Sequence, residues 1–207
     1  MAYNIHNIRD FIPMDREMYF LDTNVWIWYL TAEQFGDSIL KNDREKSYVE
    51  FVRSIVLLNS YTNKKTINAL TYQPKIVMTS LLISELINAY LRLGMKAYIN
   101  DLPEDQGNSY NFKKFRKTLD YQDSHRHIID EIQQMSSFIE FIDDEFISLK
   151  PLELLANLTD KYDFNDFYYS KLLKEKKITV VTDDGDFDFH DIEIVTCNDS
   201  LIKLMGK

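Results

Sequence analysis

Met18-Tyr19-Phe20-Leu21-Asp22-Thr23-Asn24 runs from an unalternating apolar stretch straight into a carboxylate and two small polar side chains. A short apolar run without period-two alternation predicts a strand buried on both faces, the habit of parallel sheets. Asp22 then stands at the strand's C-terminal end, where open α/β folds form their ligand crevices. Val25-Trp26-Ile27-Trp28-Tyr29-Leu30 continues as an apolar stretch of helical character.

Three more runs read the same way: Ile76-Val77-Met78 after Pro74, Ile178-Thr179-Val180-Val181, and Ile192-Glu193-Ile194-Val195. The third strand is closed by Thr182-Asp183-Asp184-Gly185. Between the strands, apolar residues recur at three and four positions, predicting helices. The first runs from Asp43 to Tyr61 and the second from about Leu81 to Leu93, with Ser80 as N-cap and Gly94 as its stop. Further helices are expected over 111–118, over 124–142 (ending before Pro151), and over 152–158. Another is expected from Asp166 to Lys176, capped by Asp163 or Asn165, and a short terminal one over 200–205. Pro103 to Asn111 reads as a polar, Gly-containing loop. Strands alternating with helices give an α/β class with a parallel sheet covered on both faces. The reading is one domain over residues 1–207, with helical insertions at about 31–75 and 95–150.

The chain has 207 residues, with 33 acidic and 24 basic side chains and a net charge of −9. At about 150 residues per domain, that length fits one large domain able to bury its own core. A single cysteine, Cys197, excludes an internal disulfide framework. Gly 5 and Pro 4 exclude collagenous or linker-like character. No apolar run approaches the roughly 20 residues that span a bilayer. Met1 to Glu17 lacks the charged-then-apolar pattern of a secretory signal, so a cytoplasmic protein with no membrane association is expected. The acidic balance speaks against coating nucleic acid by bulk charge and is silent about a local catalytic site.

Four carboxylates fall where such a site would form. Asp22 and Asp184 follow the first and third strands, Glu85 lies in the second turn of the helix after the second strand, and Asp166 opens the helix before the third. Two carboxylates about 4 Å apart repel by roughly 4 kcal/mol at an effective dielectric of 20. Convergence therefore calls for a proton or a cation. All-oxygen donors without cysteine or placed histidine select Mg²⁺ or Mn²⁺, and the reaction class is phosphodiester hydrolysis. Against this, Asp166 can simply complement a helix dipole and Asp184 can simply form a turn before Gly185. Glu85, amid Leu81, Leu82, Ile83, Leu86 and Ile87, is harder to read as bland.

Phe20-Leu21-Asp22-Thr23-Asn24, Ser80 with Ser84-Glu85-Leu86, Asn165-Asp166-Phe167-Tyr168-Tyr169-Ser170 and Val180-Val181-Thr182-Asp183-Asp184-Gly185-Asp186-Phe187 together resemble the PIN-domain family of metal-dependent ribonucleases. The separation of Asp166 and Asp184 (184 − 166 = 18) matches the helix-plus-strand unit that ends in the family's Thr-x-Asp motif. The resemblance implies a three-layer α/β/α PIN-like fold with a parallel sheet of 4–5 strands, here enlarged by the helical insertions. It also implies an Mg²⁺- or Mn²⁺-dependent endoribonuclease in which Asp22, Glu85, Asp166 and Asp184 hold the metal. Thr182 would order the site by hydrogen bonding and Asn24 would assist it. RNA is the implied substrate; the toxin members add an antitoxin protein and a homodimer as partners. Asp186 and Asp163 are weaker rivals for the ligand positions. Two other readings stand beside this one. A haloacid-dehalogenase-like phosphatase also starts with Asp after a strand, but wants a second Asp where this chain has Asn24. The other is a non-catalytic PIN-like binding module.

Lys113, Lys114, Arg116 and Lys117, with Phe112 and Phe115 interleaved, read first as a solvated helix face and second as an RNA contact. Lys171 and Lys174 are backbone-contact candidates that helix-end electrostatics alone would also explain. His125-x-His127 does not match zinc spacing. Trp26 and Trp28 read as core or interface residues.

Overall fold

All four apolar runs form strands, joined by two edge strands that carry no such signature. The computed structural model describes residues 3–14, 17–62, 73–103 and 110–206. Its strands are β1 (Asn4–Asn7), β2 (Met18–Leu21), β3 (Lys75–Met78), β4 (Ile139–Phe141), β5 (Thr179–Val181) and β6 (Glu193–Thr196). They make one sheet in the order β1-β6-β5-β2-β3-β4, every pairing parallel. Tyr19, Leu21, Ile76, Val77, Met78, Val181, Ile194 and Val195 are fully buried, as central parallel strands require. The chain is thus α/β with three-layer α/β/α character.

Eight α-helices occur among the described residues: α1 (Thr23–Phe35), α2 (Asp43–Thr62), α3 (Ser80–Asn100), α4 (Phe112–Phe115), α5 (Leu119–Gln134), α6 (Pro151–Asn157), α7 (Phe164–Lys176) and α8 (Asp199–Ile202). Residues 63–72 of the first expected insertion, and residues 104–109 of the second and of its polar loop, lie outside the described residues. Among the described residues no helix is long and apolar enough to cross a membrane.

Several expected boundaries are corrected. Gly94 does not stop α3, which continues to Asn100. A Cβ at Gly94 would sit 2.9 Å from Ser124 Oγ on α5, so this glycine serves close helix approach, not termination. The helix expected over 124–142 begins earlier, at Leu119, with Thr118 Oγ1 accepting from the Tyr121 N–H at 3.1 Å. It ends at Gln134, and its expected last turns are a 3-10 turn (Met135–Ser137) and the edge strand β4. The stretch 111–118 keeps a single turn, Phe112–Phe115, after the Asn111 cap.

By contact the chain divides into two compact units, residues 1–79 with 138–207, and residues 80–137. The first holds the whole sheet with α1, α2, α6, α7 and α8. The second is the helical assembly of α3, α4 and α5, where Tyr98, Phe115 and Tyr121 form an aromatic cluster around the fully buried Phe115.

Cys197 closes the sheet just past β6, and burial pushes its thiol up. A disulfide thiol reagent at pH 8 should therefore label the folded protein at least about tenfold more slowly than the denatured chain. Equal rates in the two states would contradict this packing.

Candidate active site

The strand order turns around at one place. From β2 the chain moves outward through β3 and β4, then returns to lay β5 on the other side of β2. The C-terminal ends of β2 and β5 therefore flank the topological switch point, where open α/β sheets form their ligand crevices. Asp22 follows β2 directly, and its N–H donates to the Val181 carbonyl at 3.0 Å. Thr182 follows β5, and its N–H donates to the Val195 carbonyl at 3.3 Å.

Thr182 is 1% exposed, and its hydroxyl joins the two strand ends. It donates to Asp22 Oδ2 at 3.0 Å and accepts from the Asp184 N–H at 2.9 Å. One small β-branched residue thereby orients a carboxylate on one strand and the backbone of a second acid on the other. Asp22 is the N-cap residue of α1, but its carboxylate makes no capping bond. It turns to Thr182 instead, close to the positive end of the α1 dipole.

The other expected site residues are placed as follows. Asp184 is half-buried, and its Oδ1 accepts from the Asp186 N–H at 2.9 Å, an Asx turn that leads out of the site. Asp166 is half-buried in the first turn of α7 and donates its N–H to Asp163 Oδ1 at 2.9 Å. Of the two expected caps, Asp163 holds that role and is exposed, while Asn165 lies within the helix. Asn24 is exposed in the first turn of α1. Glu85 lies in the unit of residues 80–137, half-buried on α3 beside the buried Leu82 and Leu86. The geometry therefore joins Asp22, Thr182 and Asp184 directly, with Asp166 in the same unit. Among the described residues, no three Asp, Glu, His or Cys side chains stand together as a cation cage. The donors at the strand ends are carboxylate and hydroxyl oxygens, the chemistry that hard divalent cations take.

Two residues of consequence were invisible to sequence reasoning: Arg44 and Tyr48 on α2. Arg44 forks onto Asp183, its Nε donating at 2.5 Å to Oδ1 and its Nη2 donating to Oδ2. Tyr48 is fully buried and its hydroxyl lies 2.9 Å from the Thr182 carbonyl. The only local signal was a tyrosine on the core face of an amphipathic helix, since a buried phenol needs a polar partner.

Several of the cationic side chains have structural occupations. Lys171 lies over the Phe167 ring at 4.9 Å, and Lys174 pairs with Asp191 at 3.0 Å. In the helical unit, Arg92 and Arg116 stack on Phe112 at 5.4 and 5.9 Å while Phe115 is buried beneath. His125 stacks on Tyr121 and His127 faces Tyr90, so the two imidazoles serve separate ring contacts.

No family model, no curated protein and no solved structure matches this chain.

Proposed function

We propose that the protein is a metal-dependent endoribonuclease of PIN type, acting at the switch point between β2 and β5. The observation that carries the reading is the Thr182 hydroxyl bridging Asp22 Oδ2 and the Asp184 N–H. That bond orients a carboxylate at the crevice instead of spending it on the α1 cap. Asp22, Asp166 and Asp184 would hold Mg²⁺ or Mn²⁺. Carboxylates brought together repel by about 4 kcal/mol at 4 Å and a dielectric of 20, a cost that a bound cation or a shared proton relieves. A bound divalent ion polarises the phosphate and lowers the pKa of a water. The chain's own part is to place the Asp22 carboxylate beside the α1 N-terminus, aimed by the Thr182 hydroxyl. With a net charge of −9, the protein gains little from nonspecific RNA affinity, so local metal–phosphate contact carries substrate binding. In the toxin role, an antitoxin protein and a second copy of the chain are its partners.

The deciding experiment incubates purified protein with varied RNAs, with and without Mn²⁺, beside Asp166→Ala. Cleavage is expected only with Mn²⁺, and it should disappear in excess chelator and in the variant. Equal degradation by wild type and Asp166→Ala would overturn the reading. A second reading, a non-catalytic PIN-like module, is favoured by the lack of a three-acid group among the described residues. It expects no Mn²⁺ binding by calorimetry, whereas the nuclease reading expects a saturable heat that Asp22→Asn weakens.

A further inference from the structure

The stretch 31–75 reads in sequence as an addition to the sheet, yet the first turns of α2 reach into the ends of β5 and β6. The Tyr48 hydroxyl lies 2.9 Å from the Thr182 carbonyl, 2.9 Å from Asp183 Oδ1 and 3.1 Å from Thr196 Oγ1. It also accepts the Cys197 N–H at 3.0 Å. A phenol has one hydrogen and two lone pairs. Accepting from Cys197 and Thr196 uses both lone pairs, which leaves its hydrogen for Thr182 and Asp183. Thr196 Oγ1 accepts the Asn198 N–H at 2.9 Å through a lone pair, and its own hydrogen can donate to the phenol. Burial pushes the phenol far up, so it stays a neutral donor.

Asp183 is gripped from three sides. Arg44, one helical turn before Tyr48, forks onto its carboxylate, Tyr48 shares Oδ1, and Asn198 Nδ2 donates to its carbonyl at 2.6 Å. Asn198 is in turn the cap of α8, its Oδ1 accepting the Ser200 N–H at 2.8 Å. Asp183 is thus occupied as an anchor, which separates it from its neighbour Asp184. The residues on either side of this anchor are Thr182 and Asp184, the pair linked to Asp22.

We propose that Arg44 and Tyr48 are positioning residues that lock the Thr182–Gly185 turn, setting where Thr182 Oγ1 meets Asp22 and where Asp184 presents its carboxylate. The lock itself stands on the hydrogen bonds; its consequence for metal binding rests on the nuclease reading above. Arginine is needed because a planar fork meets both carboxylate oxygens at once, which a lysine point charge does not.

The test uses Tyr48→Phe, which keeps the ring and removes the hydroxyl, and Asp183→Asn, which keeps the shape and removes the charge. Amide hydrogen exchange over residues 182–185 should quicken at least about tenfold in each variant, with β3 unchanged. The Mn²⁺ concentration for half-saturation, read by calorimetry, should rise by about 10- to 100-fold. Arg44→Ala should follow both, and Arg44→Lys should recover only part of either. Unchanged exchange over 182–185 in a folded Tyr48→Phe overturns the proposal, as does an equal rise in β3. Should Tyr48→Phe not fold, Asp183→Asn decides by the same readouts. If wild type takes up no Mn²⁺, the nuclease reading falls and the exchange comparison alone decides for or against the lock.

Discussion

As the nuclease proposed above, the protein should lose Mn²⁺-dependent RNA cleavage in Asp22→Asn, by about a thousandfold or more, while staying folded. Removing a charged ligand from a hard cation forfeits several kcal/mol of charge stabilisation in the transition state, and about 4 kcal/mol corresponds to roughly a thousandfold. Folding should survive for three reasons. Asparagine is isosteric and its amide oxygen can still accept the Thr182 hydroxyl, now 3.0 Å from Asp22 Oδ2. The Asp22 side chain makes no capping bond to α1, so none is lost. The backbone bonds from Asp22 N to Val181 O and from Trp26 N to Asp22 O do not involve the side chain. Losing a charge near the α1 N-terminus at this half-buried position costs at most about 2 kcal/mol. Circular dichroism and thermal melting should therefore overlay wild type within a few degrees, while gel-based cleavage disappears. Wild-type cleavage by the purified variant would remove Asp22 from the mechanism.

How much of this was readable beforehand follows from what each residue's neighbours in sequence could reveal. The four interior strands were legible because burial on both faces forces an unbroken apolar run, as in Tyr19-Phe20-Leu21 and Val180-Val181. The edge strands were not: Asn4–Asn7 pairs on one side only and tolerates Asn and His, and β4 carries the exposed Glu140 and Phe141. Gly94 misled because a helix-stopping glycine and a close-packing glycine look alike until α5 is placed against it. Within the site, Asp22 could be singled out because it follows β2 directly and Asp184 because it lies just past β5, whereas Thr182 came from the family resemblance alone. Arg44 and Tyr48 could not, because their partners lie more than 130 residues away, with Tyr48 and Thr182 separated by 134 positions. A local pattern carries no record of that pairing; it shows only a tyrosine on the inward side of a helix.

Thr182→Val isolates the hydroxyl from the shape of the side chain. Valine keeps the β-branch that suits the end of β5 and the volume of a site only 1% exposed. What disappears is a donor to Asp22 and an acceptor for the Asp184 N–H, both at normal hydrogen-bond length. An amide left without its partner in a part-buried position costs about 1–3 kcal/mol, so the variant should melt several degrees lower yet cooperatively. The larger effect should fall on catalysis. Residues that orient ligands without touching the metal typically contribute 10- to 100-fold, and this one orients two acids at once, so a loss of about 100-fold is expected. Thr182→Ser, which keeps the oxygen and drops only the methyl group, should restore most of that activity while remaining less stable than wild type. Both substitutions lower stability, but only valine lowers activity strongly, a split that packing alone does not produce. If valine and serine variants lose activity in proportion to their loss of stability, the hydroxyl is structural and the Asp22–Thr182–Asp184 link is not what aims the carboxylates.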